Sequence, residues 1–211
     1  FGFRQAPTVG STPATGGQAE YKIKSGLGVG IFKNNPVSPQ HTAGDDGYLQ
    51  DAAAGTMDDG ITGGAGWATS TSNIQKLLGV FNGAFYIDNS TSKPTYANSV
   101  AASTTFAKDY NTGSNDGIGF VNDNPMQEYT TKCTAAATQA QLLYTFNPQD
   151  GATAGTSEYG QSTVKLTNTG TATTAMFRIV RVANDPANND NSVVNSNVIV
   201  QMSPSACKSN S

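Results

Sequence analysis

The sequence predicts an all-β fold, an antiparallel β-barrel or β-sandwich with an extended N-terminal arm and at most one short helix. Three observations carry that expectation. The apolar residues fall in many short runs, several alternating with polar residues in the period-2 pattern of half-buried strands. Clusters of Gly, Asn, Asp and Pro separate the runs at short intervals. Charged residues make up 13% of the 211 positions, against roughly 25% in an average soluble domain. Polarity comes instead from Thr, Ser, Asn and Gln among 23 glycines. Such short side chains lose little rotamer entropy on ordering and suit strands and turns.

Residues 1–18 show neither helical nor strand periodicity. They hold Pro7 and Pro13, with apolar anchors at Phe1 and Phe3. The segment reads as an extended arm whose grip on a neighbour would be Phe1, Phe3 and Arg4. Residues 19–211 read as a single β-rich domain, with a glycine-rich insertion near 55–75. Tyr21 and Ile23 alternate with Lys22 and Lys24, and the run Gly28–Phe32 ends at the Asn34-Asn35-Pro36 turn signal. Residues 38–75 are weakly patterned, with Asp-Asp-Gly turns at Asp45-Asp46-Gly47 and Asp58-Asp59-Gly60. The strongest apolar block is Leu77–Phe81 followed by Ala84–Ile87. The Asn82-Gly83 pair inside it predicts a hairpin turn or a bulge.

Further strands are expected at Thr104–Lys108, Gly117–Val121 and Met126–Lys132. Thr134–Leu143 is Ala- and Gln-rich and is the one helix candidate, with Thr134 as its cap. Ser162–Thr167, Thr174–Ala183 and Asn197–Met202 close the chain. In the second of these Ala175, Phe177 and Ile179 share one face, with Met176, Arg178, Val180 and Val182 on the other. In the last, Val198, Val200 and Met202 share a face.

The toolkit for chemistry is thin. The chain has one histidine, His41, which reads as a structural or surface residue. Gly26-Leu27-Gly28-Val29-Gly30 lacks the third glycine of a dinucleotide loop and no helix follows it. The Asp45/Asp46 and Asp58/Asp59 pairs match no calcium-loop pattern, and no pair among the 15 acidic residues is singled out for hydrolysis. The expectation is therefore no enzyme, no cofactor and no metal. Net charge is −3, with no basic run to capture nucleic acid, and no stretch approaches the ~20 apolar residues of a membrane span. Cys133 and Cys207 are either two buried thiols or a disulfide tying down the C-terminal tail. Trp67, set among Gly63, Gly64 and Gly66, is either a packing anchor or an aromatic contact to a partner surface.

The order of segments resembles the head decoration, or cement, proteins of tailed bacteriophages. The stretches that carry the resemblance are Gly2-Phe3-Arg4, Ile31-Phe32-Lys33-Asn34-Asn35-Pro36-Val37, Ala52-Ala53-Ala54-Gly55 and Leu78-Gly79-Val80-Phe81-Asn82-Gly83-Ala84-Phe85-Tyr86. After them come Pro94-Thr95-Tyr96, Asp123-Asn124-Pro125, Phe177-Arg178-Ile179-Val180-Arg181-Val182, Asn184-Asp185-Pro186 and Val198-Ile199-Val200. The segment Ile61–Gln75 departs from the pattern. The resemblance implies a non-catalytic structural subunit, commonly a homotrimer, made in the host bacterial cytoplasm. It would sit on the capsid exterior, bind the major capsid protein and reinforce its lattice. Phe1, Phe3, Arg4 and Trp67 would be the contact residues. The alternative is a glycan- or receptor-binding β-sandwich of a virion fibre or extracellular surface, with the eight tyrosines and Trp67 as stacking platforms.

Overall fold

The computed structural model describes residues 2–9, 17–40, 47–52, 77–109, 112–149, 155–156, 159–172, 175–184 and 190–203. In chain order the strands are β1 (Arg4–Thr8), β2 (Ala19–Ile23), β3 (Ile31–Phe32), β4 (Pro36–Pro39), β5 (Leu49–Asp51), β6 (Gly79–Ile87), β7 (Pro94–Ala97) and β8 (Ser99–Val100). They continue with β9 (Gly117–Asn122), β10 (Gln127–Lys132), β11 (Thr145–Pro148), β12 (Gly155–Thr156), β13 (Gln161–Ser162), β14 (Leu166–Ala172), β15 (Phe177–Val182) and β16 (Asn197–Met202).

Two antiparallel six-stranded sheets dominate. The first runs β1-β10-β16-β15-β11-β14. The second runs β2-β9-β6-β4-β5, with β7 also paired to β6. Strand β6 is long enough to serve two partners along one edge: Gly79 and Val80 pair with β4, Ala84–Ile87 with β7. Two short ribbons, β3-β8 and β12-β13, complete the structure. Neither sheet closes on itself among the described residues, so of the two predicted architectures the sandwich-like one holds.

Each sheet has its own apolar cluster. Tyr129, Phe177, Ile179, Val198, Val200 and Met202 line one face of the first sheet, and Val80 of β6 and Leu77 just before that strand reach into the same cluster. The Tyr129 hydroxyl donates to the Asn122 carbonyl at 3.2 Å, satisfying its polar end where the two sheets meet. Ile23, Val37, Leu49, Phe81, Ala84 and Val121 form the second cluster on the other side of the second sheet. Phe106 stacks there on Tyr86 with ring centroids 4.6 Å apart. Burying side chains of this size contributes about 1.5–3 kcal/mol each, as an upper estimate.

The Asn82-Gly83 pair is a bulge, not a hairpin turn. Phe81 opposes Val121 and Gly83 opposes Phe120, so β6 carries one extra residue against β9. Gly83 has φ +154°, which L side chains rarely adopt. The extra residue shifts the phase of the strand. Phe81 enters the second cluster, and so do Ala84 and, partly, Tyr86. Gly79 answers a different constraint: an added Cβ would lie 2.2 Å from the Asn122 carbonyl oxygen.

Several expectations are corrected. Residues Arg4–Thr8 of the predicted arm form edge strand β1, paired with β10 through Arg4 opposite Thr130 and Gln5 opposite Tyr129. The helix expected over Thr134–Leu143 is a 3₁₀ turn of three residues, Gln139–Gln141. Asn168 is the reason. Fully buried, it accepts from the Ala135 N–H at 2.8 Å and donates to the Ala135 and Ala136 carbonyls at 3.2 and 2.9 Å. Those backbone groups are therefore satisfied without a helix. Thr104–Lys108 forms no strand; it meets β6 through a bridge between Asp88 and Phe106 and through the Phe106 ring on Tyr86.

Candidate docking face

The residues that converge on one surface lie on the first sheet, on the face turned away from its core. Register sets two adjacent rows across it. One row is Glu128 (β10), Gln201 (β16), Arg178 (β15) and Thr145 (β11). The other is Arg4 (β1), Thr130 (β10), Ile199 (β16) and Arg181 (β15). The core-facing neighbours Tyr129, Val198, Val200, Phe177 and Ile179 fix the orientation, because alternate residues of a strand point to opposite faces.

The chain has three arginines, and all three stand in these two rows. In an uninterrupted strand, Arg178 and Arg181 would point to opposite faces. The register of β15 shifts between Ile179 and Arg181, and this bulge brings Arg181 round to the side of Arg178. Lys132, opposite Asn197, adds a fourth cation at the end of β10. Among the described strand residues of this face Glu128 is the one carboxylate, on a chain whose net charge is −3.

The polar groups are tightly arranged. Glu128 is nearly buried and accepts from Arg181 through both oxygens, at 3.2 and 2.8 Å. This two-pronged pairing fixes the orientation of the guanidinium. Arg178 is different. Its Nη2 donates to Gln201 Oε1 at 3.0 Å, while its Nε is buried and unpartnered. No carboxylate among the described residues forms an ion pair with it. Gln201 in turn donates to the Pro125 carbonyl at 3.2 Å, joining Arg178 to the turn that exposes Met126. Val9 is exposed beside Met126, its N–H donating to the Met126 carbonyl at 3.0 Å. Ala6, Ala183 and Ile199 form a small apolar cluster of their own among the sites already named. The result is a cationic sheet face with an apolar corner, suited to a protein surface that presents carboxylates.

Of the contact residues expected from the sequence, Arg4 stands on this face. Phe3 does not: it is fully buried in the first core cluster and is not available as a grip. Phe1, Trp67 and His41 lie outside the described residues, as do both Asp-Asp pairs. So does Cys207, leaving one end of the possible bridge described. Cys133 is a buried thiol whose pKa desolvation pushes up to about 12. Among the described residues no three His, Cys, Asp or Glu side chains gather as a metal site would require. Sequence reading missed Arg178, Arg181 and Glu128. The Arg-x-x-Arg spacing was visible, but the bulge that aligns the pair was not.

Comparison with protein-family models, with curated proteins and with solved structures finds no match to this chain.

Proposed function

We propose that this chain is a structural virion protein that binds the outer surface of a phage capsid and stabilises the lattice of major capsid subunits. It docks through the arginine face of the first sheet. One observation carries the docking surface: the half-buried Arg178 guanidinium has an unpartnered Nε and, among the described residues, no carboxylate, on a face that gathers every arginine in the chain. A partly desolvated cation is costly until an anion meets it, and an acidic group on the lattice supplies that anion. The order of segments described for the sequence supports the phage-head setting. The physics of such a role is stoichiometric. Each bound copy stabilises the assembled shell and not its free subunits, and contacts repeated around a symmetric shell, by a homotrimer above all, gain from multivalency.

The test is mass spectrometry of the purified particle followed by occupancy measurements on stripped capsids. The expected copy number is comparable to that of the major coat subunit. Arg178→Ala and Arg4→Ala should lower occupancy most at low salt, and should make occupancy less sensitive to added salt, with the melting temperature held. Absence from the particle would remove the capsid role. Unchanged occupancy in both variants would remove the arginine face.

A further inference from the structure

The second sheet carries a surface of another kind. Register aligns Lys22 (β2), Ile118 (β9), Phe85 (β6) and Tyr96 (β7) in one row, on the side away from the second core cluster. Tyr96 rests on Phe85, with ring centroids 4.8 Å apart and planes tilted by 48°, yet 77% of its surface is open. A second tyrosine stands nearby. Tyr159 is 68% exposed and precedes Gly160, whose carbonyl shares the Lys33 N–H with the carbonyl of Asn98 at 3.0 and 2.8 Å. Tyr96 is two residues from Asn98. Two open phenol rings are thus tied to one backbone junction, and the intervening residues Ala97, Asn98 and Ser99 are uncharged.

We propose that Tyr96 and Tyr159 form a binding platform for an uncharged oligosaccharide, on a surface separate from the arginine face. A pyranose ring presents C–H groups on its faces and hydroxyls on its rim. An exposed aromatic ring held from behind by Phe85 offers the C–H face a flat π surface. The two phenol hydroxyls and the amide and hydroxyl of Asn98 and Ser99 suit the rim. The extent of the surface favours a sugar over a protein. A stable protein interface needs roughly 800 Å² from each partner. Here Ile118, Phe85 and the neighbouring Phe120 and Ile87 are already partly covered, and the apolar side chains that stand fully open are the two tyrosines. One or two stacked rings are enough for a di- or trisaccharide.

The experiment uses the full chain, with maltotriose, cellotriose and triacetylchitotriose as probes. Binding is read by NMR shift perturbation, and self-association by sedimentation. At least one probe should shift the Tyr96 and Tyr159 ring signals. Tyr96→Ala and Tyr159→Ala should each bind about tenfold more weakly, Tyr96→Phe should keep most of the affinity, and Arg178→Ala should bind as the parent does. Because both rings project from the surface, a thermal melt should be unchanged; if Tyr96→Ala fails to fold, Tyr159→Ala and the shift map carry the test. The proposal is overturned if none of the three probes perturbs these rings, if the tyrosine variants bind like the parent, or if Tyr96→Ala alters sedimentation, which would make the row a contact between copies.

Discussion

Phe3 stacks on Phe177, with ring centroids 4.4 Å apart and 28° between the ring planes. This contact makes the start of the chain part of the first core cluster. Phe3→Ala should cost about 3–5 kcal/mol, the range for emptying a buried aromatic site, and lower the melting temperature by roughly 10 °C. Deleting residues 1–8 should also remove the β1 ladder and the contact between the Gln127 side-chain amide and the Ala6 carbonyl. A truncated chain that melts like the parent would contradict this placement. Any loss of docking on truncation must therefore be read beside a folding control.

Asn168 should behave as a keystone of the loop after β10. Its amide meets three backbone groups of Ala135 and Ala136, and it also donates to Gln141 Oε1 at 3.2 Å. Asn168→Ala strands several buried partners, each at a cost of about 1–3 kcal/mol. Urea unfolding should report a loss above about 2 kcal/mol, and the Ala135 amide should exchange faster with solvent. A loss confined to a few tenths would show that water replaces the side chain without strain.

Asp116 gathers Ser114 Oγ at 2.7 Å, Lys22 Nζ at 3.1 Å and Tyr48 Oη at 3.1 Å. Burial pushes its carboxyl pKa up, but the hydrogen bonds from Ser114, Lys22 and Tyr48 outweigh that and hold it below the usual aspartate range. A lowered folded pKa means stability that is present above the unfolded aspartate pKa, about 3.9, and is lost as pH falls through the folded value. Lys22 moves the other way, raised by its hydrogen bond to Asp116, so its share fades as pH climbs past the ordinary lysine range. Asp116→Asn should therefore flatten both ends of the stability–pH curve. Parent and variant should converge in acid, measured as urea midpoints across pH.

The Cys133 thiol should be silent toward Ellman's reagent in the native protein near pH 8, because burial holds its pKa at about 12 and only the thiolate attacks. Unfolding in urea without reductant should release it. Two reactive thiols after unfolding would make Cys133 and Cys207 separate; none would join them. Rapid native labelling of Cys133 would contradict its burial.

The sequence pattern was legible where a strand packs one face on a core. Asn197–Met202 was read to the residue, and Val198, Val200 and Met202 do share the buried face. The Asn82-Gly83 signal correctly offered a bulge. The Asp123-Asn124-Pro125 stretch forms a turn, with the Asn124 side chain accepting from the Met126 N–H at 3.0 Å. Strand β1 was hidden because its residues, Arg-Gln-Ala-Pro-Thr, are mostly polar and lie on a sheet edge. The false helix over Thr134–Leu143 followed local propensity, which a partner 27 to 33 residues away overrode. The arginine face was illegible for a related reason: register shifts are set by pairing with other strands and leave little trace in spacing.

The extra residue in β6 is absorbed without exchanging the two sides of the sheet. Phe81 and Ala84 stand three positions apart and both face the second cluster, because the strand gains one residue between Val121 and Phe120 of its partner. Removing Asn82 would leave them two positions apart, still on one side by plain alternation, with Phe85 still behind Tyr96. The strand can therefore change length by one residue here and keep what it buries and what it shows.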